Sequence, residues 1–286
     1  YCIGTQNADE QGYFRYTAEA ERCLSFVDHV CRCLSLRTMS NSDKHIAIGY
    51  FRHPGKDALL ASGMEVVPSM YNFLKRLRQE GYNVSGLPST LAGFARDVHE
   101  AADHPLWAVR KDYEQWVRQV LTTAKYGEVT SRYGTPSDSL PMTAVRYGNI
   151  LLFLQPRPAL GDDDFRFVHG VDVAPPHSYL APYLYMQQVF RADALVHFGT
   201  HGNLEFTPGR DAAMRRDDWS HQLIGSTPHF YFYTTGNIGE AIIAKRRSHA
   251  VLLTYLTPPY ADSGMRQKYK ALHDDIHRAL AGRTVA

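Results

Sequence analysis

The sequence lacks the marks of several common protein classes. No apolar run of the 286-residue chain approaches the ~18 residues that a membrane-spanning helix needs. The formal net charge of +2 is too small to argue for binding to nucleic acid or to an anionic membrane. The phosphate-binding Gly-x4-Gly-Lys-Ser/Thr loop, the dinucleotide-binding Gly-x-Gly-x-x-Gly motif and the His-Glu-x-x-His zinc motif are all missing. We therefore expect no membrane span, no nucleic-acid partner and no ATP hydrolysis by this chain itself.

Cysteine is scarce and confined to the first 33 residues, as Cys2, Cys23, Cys31 and Cys33. The spacing Cys31-x-Cys33 is too short for the usual zinc-binding pair, and no second pair follows. Thiols buried on an amphipathic helix explain the cysteines better, and they fit a reducing, cytoplasmic location. Because the chain begins at Tyr1 rather than Met, we expect it to be an internal segment of a longer protein.

Short, almost wholly apolar segments alternate with segments of helical spacing. Strands are predicted at residues 45–51, 82–87, 149–154, 194–198 and 250–255. Helices are predicted at residues 17–36, 68–81, 105–121, 179–190, 237–247 and 265–280. This alternation predicts an α/β fold with a mostly parallel sheet and flanking helices, Rossmann-like in its order of strand and helix.

Two boundaries are expected along the chain. Residues 1–42 form a helical lead-in segment, and residues 43–286 form the α/β region. Residues 131–141 are rich in Ser, Pro, Thr and Gly, which suggests a division of the α/β region into two lobes at this point.

The strongest functional signal is the segment ALVHFGTHGNLE at residues 194–205. His197 ends a predicted buried strand, His201 follows in a loop interrupted by glycine, and Glu205 comes four residues later. Four residues of extended chain span at most about 14 Å, so a turn brings both imidazoles within reach of one ion. Two imidazoles and a carboxylate suit both a divalent metal and proton transfer. Open α/β folds bind their ligands where strands leave the sheet, as this segment does.

Each of these residues also has a structural interpretation. His197 could be a core histidine satisfied by hydrogen bonds, and His221 and His229, taken singly, fit a structural role better.

The two glycines of the loop suggest a further function. Gly199 and Gly202 leave their backbone N–H groups accessible, and these groups can form an anion-binding concavity.

A basic cluster ends one of the predicted helices. Lys245, Arg246 and Arg247 could complement the helix dipole, or they could bind the carboxylates of a ligand. These two roles are about equally well supported by the sequence.

Several motifs, in order from about residue 44 to residue 259, resemble the CobN and magnesium-chelatase H-subunit family. The most specific are HFGTHGNLEFTPG at residues 197–209, TPHFY at 227–231, NIGE at 237–240, AKRRSHA at 244–250 and LTPP at 256–259. Members of that family are much longer than this chain. The resemblance therefore agrees with an internal segment.

The resemblance implies a large subunit that holds a porphyrin or corrin-type ring while a divalent metal, cobalt or magnesium, is inserted. It implies that separate AAA+ and von Willebrand-type subunits hydrolyse ATP, and that the isolated segment is inactive. His197, His201 and Glu205 would then be the metal-binding and catalytic residues, with Glu205 accepting a pyrrole proton. The remaining candidates for ring binding are Gly199, Gly202, His177, Lys245, Arg246 and Arg247.

Two other functions stay open. Arg210 stands where members of the family commonly have lysine, which leaves the metal and the direction of the reaction undecided. A haem-handling or dechelating relative, or a non-catalytic tetrapyrrole carrier, is the main alternative. A metal-dependent hydrolase that uses the same His-His-Glu set is the second.

Overall fold

The structure is a computed structural model that describes residues 4–51, 60–61, 64–157, 173–199, 202–210, 214–234, 238–255 and 269–281. The chain forms two compact units, Tyr1–Leu256 and Thr257–Ala286. Residues 131–141, where the sequence suggests a boundary between lobes, lie inside the first unit. That boundary stays a prediction.

The first unit combines strands and helices in alternation. Its strands are β1 (Gly4–Ala8), β2 (Phe14–Ala18), β3 (Ile46–Tyr50), β4 (Leu60–Ala61), β5 (Met64–Glu65), β6 (Leu106–Val109), β7 (Ser139–Met142), β8 (Ala144–Tyr147), β9 (Ile150–Leu154), β10 (Ala194–Phe198), β11 (His229–Thr234) and β12 (Val251–Tyr255). Its helices are α1 (Ala20–Thr38), α2 (Val66–Gln79), α3 (Leu91–Glu100), α4 (Arg110–Val120), α5 (Thr123–Tyr133), α6 (His177–Tyr185), α7 (Trp219–Ile224) and α8 (Ile238–Ser248). A π-helical turn, Met186–Phe190, continues α6, and a 3₁₀ turn, Leu204–Phe206, follows β10.

A six-stranded sheet in the order β12-β11-β10-β3-β9-β8 organises this unit. All of its neighbours pair in parallel except β8, which pairs antiparallel with β9. The five parallel strands follow one of the two common doubly wound orders, in which the chain changes direction between β3 and β10. Ligands of such folds bind beyond the carboxyl ends of the strands at this point of reversal. The predicted fold class is confirmed.

Both faces of the sheet are covered, which explains why its strands are almost wholly apolar. In β3, Ile46 and Ile48 pack with α2 and α3, whereas Ala47 packs on the opposite face with α4, α6 and α7. In β10, Val196 joins the first of these cores and Leu195 the second. The two-residue period therefore decides which residues of each strand meet which layer of helices.

Residues 82–87 form turns rather than the predicted strand. Val84 and Leu87 are buried and give the segment its apolar pattern. Asn83 Oδ1, however, accepts a hydrogen bond of 3.3 Å from the Ser85 backbone N–H, and Gly86 has a φ of +84°. The local turn chemistry of asparagine and glycine outweighs the apolar pattern here.

The predicted helix at residues 105–121 begins later than expected. Residues 106–109 form β6, which pairs antiparallel with β7, and α4 starts only at Arg110. The predicted helix at residues 17–36 is likewise shifted, because Thr17 pairs with Thr5 in the β1–β2 hairpin. In both places, strand pairing replaces the start of a predicted helix. At residues 106–109 the partner is the distant strand β7, and at residues 14–18 it is the neighbouring strand β1.

The expectation of buried thiols on α1 is wrong for Cys31, which is exposed. Cys23 and Cys33 are partly buried, and none of these three cysteines forms a disulfide. In the second unit, the helix α9 (Lys270–Ala281) confirms the predicted final helix over those residues. Among the described residues, no helix has both the length and the apolar content needed to cross a membrane.

Imidazoles line the contact of α1 with the rest of the first unit. Arg22 Nη1 lies 3.4 Å from His221 Nε2, and His29 Nδ1 lies 3.2 Å from the Ser226 carbonyl oxygen. The rings of His29 and His249 are 6.1 Å apart. Burial, helped by the positive charge of Arg22, lowers the pKa of His221 to about 4 and that of His249 to about 3. These buried imidazoles are therefore neutral near neutral pH.

This cluster predicts acid-sensitive stability. His221 binds a proton near pH 6.5 when exposed but only near pH 4 in the folded chain, so the unfolded state binds more protons between these values. The free energy of unfolding should fall as the pH drops through this window, by up to about 3 kcal/mol from His221 alone. His221→Gln keeps an acceptor for Arg22 and removes the titrating group. Urea unfolding followed by tryptophan fluorescence should show a shallower loss for this variant, and parallel pH profiles would contradict the assignment.

Candidate functional site

A buried polar cluster lies at the carboxyl end of β10 and beside the first half of β11. Alternation along β10 places His197 on the same face as Leu195, towards α6, and His197 is the register partner of Tyr231 on β11. Gly49 on β3 leaves room for this imidazole, because a Cβ at position 49 would lie 3.3 Å from His197 Cδ2. The cluster thus lies beside the point of reversal between β3 and β10.

His197 is 3% exposed, and both of its ring nitrogens have partners. Its Nδ1 lies 2.6 Å from His229 Nε2, and its Nε2 lies 3.2 Å from Tyr183 Oη and 3.3 Å from Gln155 Nε2. Burial, with the neighbouring imidazole of His229, lowers the pKa of His197 well below its ordinary range. Burial also lowers the pKa of His229 to about 4. The pair is therefore neutral and hydrogen-bonded.

Glu205 lies in the 3₁₀ turn after β10, and it is completely buried. Its Oε1 accepts a hydrogen bond of 2.8 Å from Tyr231 Oη. Burial raises the pKa of each phenol around it, and the negative charge of Glu205 raises them further. These phenols are Tyr179, Tyr183, Tyr231 and Tyr233. A carboxylate surrounded by neutral hydroxyl groups is thus built into the core at this edge of the sheet.

The loop between His197 and Glu205 fits closely against the cluster. Gly199 has a φ of +128°, a conformation that favours glycine. At Gly202, a Cβ would lie 2.8 Å from Tyr231 Oη and 3.3 Å from Gln155 Oε1. The next residue, Asn203, donates its backbone N–H to Gln155 Oε1 at 3.0 Å. The glycines predicted to approach a ligand therefore also allow the loop to pack on its own hydrogen-bonding partners.

The basic cluster of α8 divides into two kinds of residue. Arg247 donates to the carbonyl oxygens of Thr207 at 2.7 Å and Gly209 at 3.4 Å, and so ties the segment that follows Glu205 to α8. Lys245 and Arg246 are exposed. Binding of ring carboxylates by these three residues stays a prediction, and for Arg247 the structure also provides a structural role.

His177 belongs to a different hydrogen-bonded group. Its Nε2 donates to the Gly134 carbonyl oxygen at 3.0 Å, and its Nδ1 accepts from Tyr113 Oη at 2.9 Å. These bonds connect the start of α6 with α4 and with the loop after α5. His177 and His197 share no hydrogen-bond partner among the described residues, so these bonds do not join the two predicted residues.

The predicted metal-binding set is only partly described. His201 lies outside the described residues, and His197 and Glu205 are joined through Tyr231, whose ring centre is 5.3 Å from that of His197. Within the described parts of the chain, no group of three or more His, Cys, Asp or Glu side chains is placed to hold a metal ion. The set His197, His201 and Glu205 therefore stays a prediction.

Sequence reasoning missed several members of the cluster. Gln155, Tyr183 and Tyr231 were not predicted, and His229 was assigned a structural role. One signal was available in residues 229–233, where imidazole and phenol side chains alternate with phenyl rings as HFYFY. In a buried strand this alternation places His229, Tyr231 and Tyr233 on one face. Gln155 and Tyr183 come from distant parts of the chain and carried no comparable signal.

An open, doubly wound sheet with a polar cluster beside its point of reversal is the arrangement in which open α/β folds bind their ligands. The buried carboxylate and imidazoles add groups able to exchange protons. The model of the CobN/Magnesium Chelatase family matches residues 1–281. The chain therefore belongs to the CobN/magnesium-chelatase family, and the resemblance seen in its motifs is confirmed.

The chain matches relatives that are named for two different metals. It is 31% identical over 266 residues to the chloroplastic magnesium-chelatase subunit ChlH of Oryza sativa subsp. indica, covering 87% of this chain and 19% of that protein. It is 30% identical over 263 residues to the aerobic cobaltochelatase subunit CobN of Pseudomonas aeruginosa, covering 85% of this chain and 21% of that protein.

A solved structure shares the fold. The catalytic subunit of cobaltochelatase from Mycobacterium tuberculosis matches with a TM-score of 0.78 and 28% identity, over 98% of this chain and 26% of that one. The chain thus spans about a fifth to a quarter of the length of these relatives.

The close approach at Gly202 predicts a position-specific loss of stability. Gly202→Ala places a methyl group against Tyr231 Oη and Gln155 Oε1, and overpacking of this kind costs about 1–3 kcal/mol. Gly127→Ala is the matched control, because its added Cβ would meet no atom within 4 Å and alanine favours the helix α5. Urea unfolding should show the loss for the first variant and little change or a small gain for the second. Equal stability of the two variants would be inconsistent with the packing described.

Proposed function

We propose that this chain is part of the tetrapyrrole-binding large subunit of a metal chelatase. A porphyrin or corrin-type ring would bind at the carboxyl ends of β3, β10 and β11, and a divalent metal substrate, cobalt or magnesium, would be inserted there. Membership of the CobN/magnesium-chelatase family supports the reaction class. The relatives named for magnesium and for cobalt both match, so they do not distinguish the two metals.

The completely buried carboxylate of Glu205 is the observation that carries this proposal. Metal insertion releases the pyrrole N–H protons of the ring, and these protons need an acceptor. A charged carboxylate removed from water is costly, so accepting a proton relieves that cost. Tyr231 directs its hydroxyl at Glu205 Oε1 and so holds the carboxylate in a fixed orientation. In this proposal Glu205 is the proton acceptor.

The histidines would complete the site around the metal substrate. Neutral imidazole nitrogen is a good ligand for divalent transition metals, and the ring of His197 lies against that of Tyr231, which donates to Glu205. His201 precedes Gly202 in the same loop and is the second proposed ligand. Because His197 and Glu205 are buried, ring binding would have to displace part of the segment at residues 202–209.

Partners and energy supply are part of the same proposal. ATP would be hydrolysed by separate AAA+ and von Willebrand-type subunits, in agreement with the missing phosphate-binding motif of this chain. Lys245, Arg246 and Arg247 would bind the carboxylates of the ring, with His177 in a supporting role. The cytoplasmic location expected from the sequence stays a prediction.

The proposal predicts a separation between ring binding and metal insertion. Glu205→Gln in the full-length protein should lower the insertion rate by about 100-fold or more, because the proton acceptor is lost. Porphyrin affinity, measured by fluorescence quenching, should change little. Insertion is followed by absorbance with the partner subunits, ATP and either Co²⁺ or Mg²⁺.

Two comparisons make this experiment decisive. Glu128→Gln, an exposed glutamate of α5, should leave both ring binding and insertion unchanged. Unimpaired insertion by Glu205→Gln would refute the role of Glu205. If the unaltered protein removes metal from a pre-loaded ring and inserts none into the free ring, the dechelating alternative is supported instead.

A further inference from the structure

Two hydrogen bonds connect the end of α8 to His197 through His229. Ser248 is the last residue of α8, so no backbone N–H further along the helix donates to its carbonyl oxygen. This oxygen lies 3.0 Å from His229 Nδ1. A carbonyl oxygen can only accept, so His229 must carry its proton on Nδ1. The negative end of the α8 dipole favours a donor at the same position.

The proton on His229 Nδ1 determines the state of the next ring. A neutral imidazole with a proton on Nδ1 has a lone pair on Nε2. The Gln155 amide nitrogen, which can only donate, lies 3.3 Å from His197 Nε2, and His229 Nε2 lies 2.6 Å from His197 Nδ1. Two lone pairs at this distance would repel each other, so His197 must donate from Nδ1. His197 therefore has its own lone pair on Nε2.

The groups around His197 Nε2 agree with this arrangement. Gln155 accepts the Asn203 N–H with Oε1, which orients its amide so that Nε2 faces His197 and Tyr183. Gln155 also donates to Tyr183 Oη at 2.6 Å, which leaves the Tyr183 hydroxyl proton available for His197. Both neighbours of His197 Nε2 can thus donate to it. The network is consistent only when this nitrogen is unprotonated.

We infer that His229 is a positioning residue that holds His197 in the Nδ1–H tautomer and keeps a lone pair on Nε2 beside Tyr183 and Gln155. The inference deepens the proposed function, since Nε2 is then the atom that can bind the metal substrate or accept a proton. His229 itself is buried and touches neither substrate nor metal in this scheme. Its effect passes entirely through His197.

Nitrogen NMR of the ¹⁵N-histidine-labelled 286-residue chain tests the tautomer without any assay of chelation. Long-range proton–nitrogen spectra separate protonated from unprotonated ring nitrogens, and His197→Gln identifies the signals of His197. In the wild type, His197 Nδ1 should appear as the protonated nitrogen and Nε2 as the unprotonated one. The opposite assignment would overturn the inference.

Two conservative variants separate positioning from packing. His229→Gln retains an acceptor for His197 Nδ1–H and should preserve the tautomer. His229→Asn retains a donor near Ser248 but removes the acceptor, so the protonated signal of His197 should move from Nδ1 towards Nε2. Circular dichroism confirms that both variants are folded. A folded His229→Asn variant in which the tautomer of His197 is unchanged would contradict the inference.

Activity of the full-length protein adds an independent readout. Loss of a residue that orients a metal ligand typically costs about 10- to 100-fold, so His229→Asn should slow insertion by this amount with ring affinity unchanged. His229→Gln should restore most of the rate. Full activity of His229→Asn would overturn the positioning role and leave the proposal for Glu205 intact. A failure of the Glu205 experiment would leave the NMR assignment of His197 intact.

Discussion

The hydrogen bonds that satisfy the buried imidazoles and the buried carboxylate are the interaction on which the geometry of the site depends. His197 and His229 are almost fully enclosed, and Glu205 is completely enclosed. Leaving one such group unsatisfied costs about 1–3 kcal/mol, and more for a charge. Their partners come from α6, α8, β11 and the segment after β9, so the network fixes how these elements meet. The sheet determines where the cluster lies, and the hydrogen bonds determine how its side chains are oriented.

The same network connects fold to chemistry. The point at which the strand order reverses lies between β3 and β10, and β10 ends at His197 and Phe198. Arg247 holds the segment after Glu205 through two backbone carbonyls, so a helix at one edge of the sheet stabilises the loop that carries the carboxylate. Tyr231 then orients that carboxylate from the neighbouring strand. Acid–base groups are thus positioned by rigid elements, as the proposed proton transfer from a bound ring to Glu205 would require.

The sequence predicts much of the fold and part of the site. The strands β3, β9 and β10 are continuous apolar runs, and their prediction is confirmed because burial on both faces leaves no competing pattern. The edge strand β12 is also confirmed, although several of its side chains are exposed. Residues 82–87 were predicted wrongly, since two buried side chains outweighed the Asn and Gly turn signals. His197 and Glu205 could be selected because strand, glycine loop and ligand chemistry coincide. Gln155 and Tyr183 could not, because their approach to His197 depends on packing across distant segments of the chain.

The central claim is that Glu205 and His197 meet the macrocycle at the carboxyl ends of β3 and β10. An experimental structure of the full-length protein with a metal-free porphyrin bound tests this most directly. The account predicts the ring beyond these strand ends, with the Glu205 carboxylate within hydrogen-bonding distance of a pyrrole nitrogen and part of the segment at residues 202–209 displaced. A ring bound elsewhere, with Glu205 still covered and bonded to Tyr231, would contradict it.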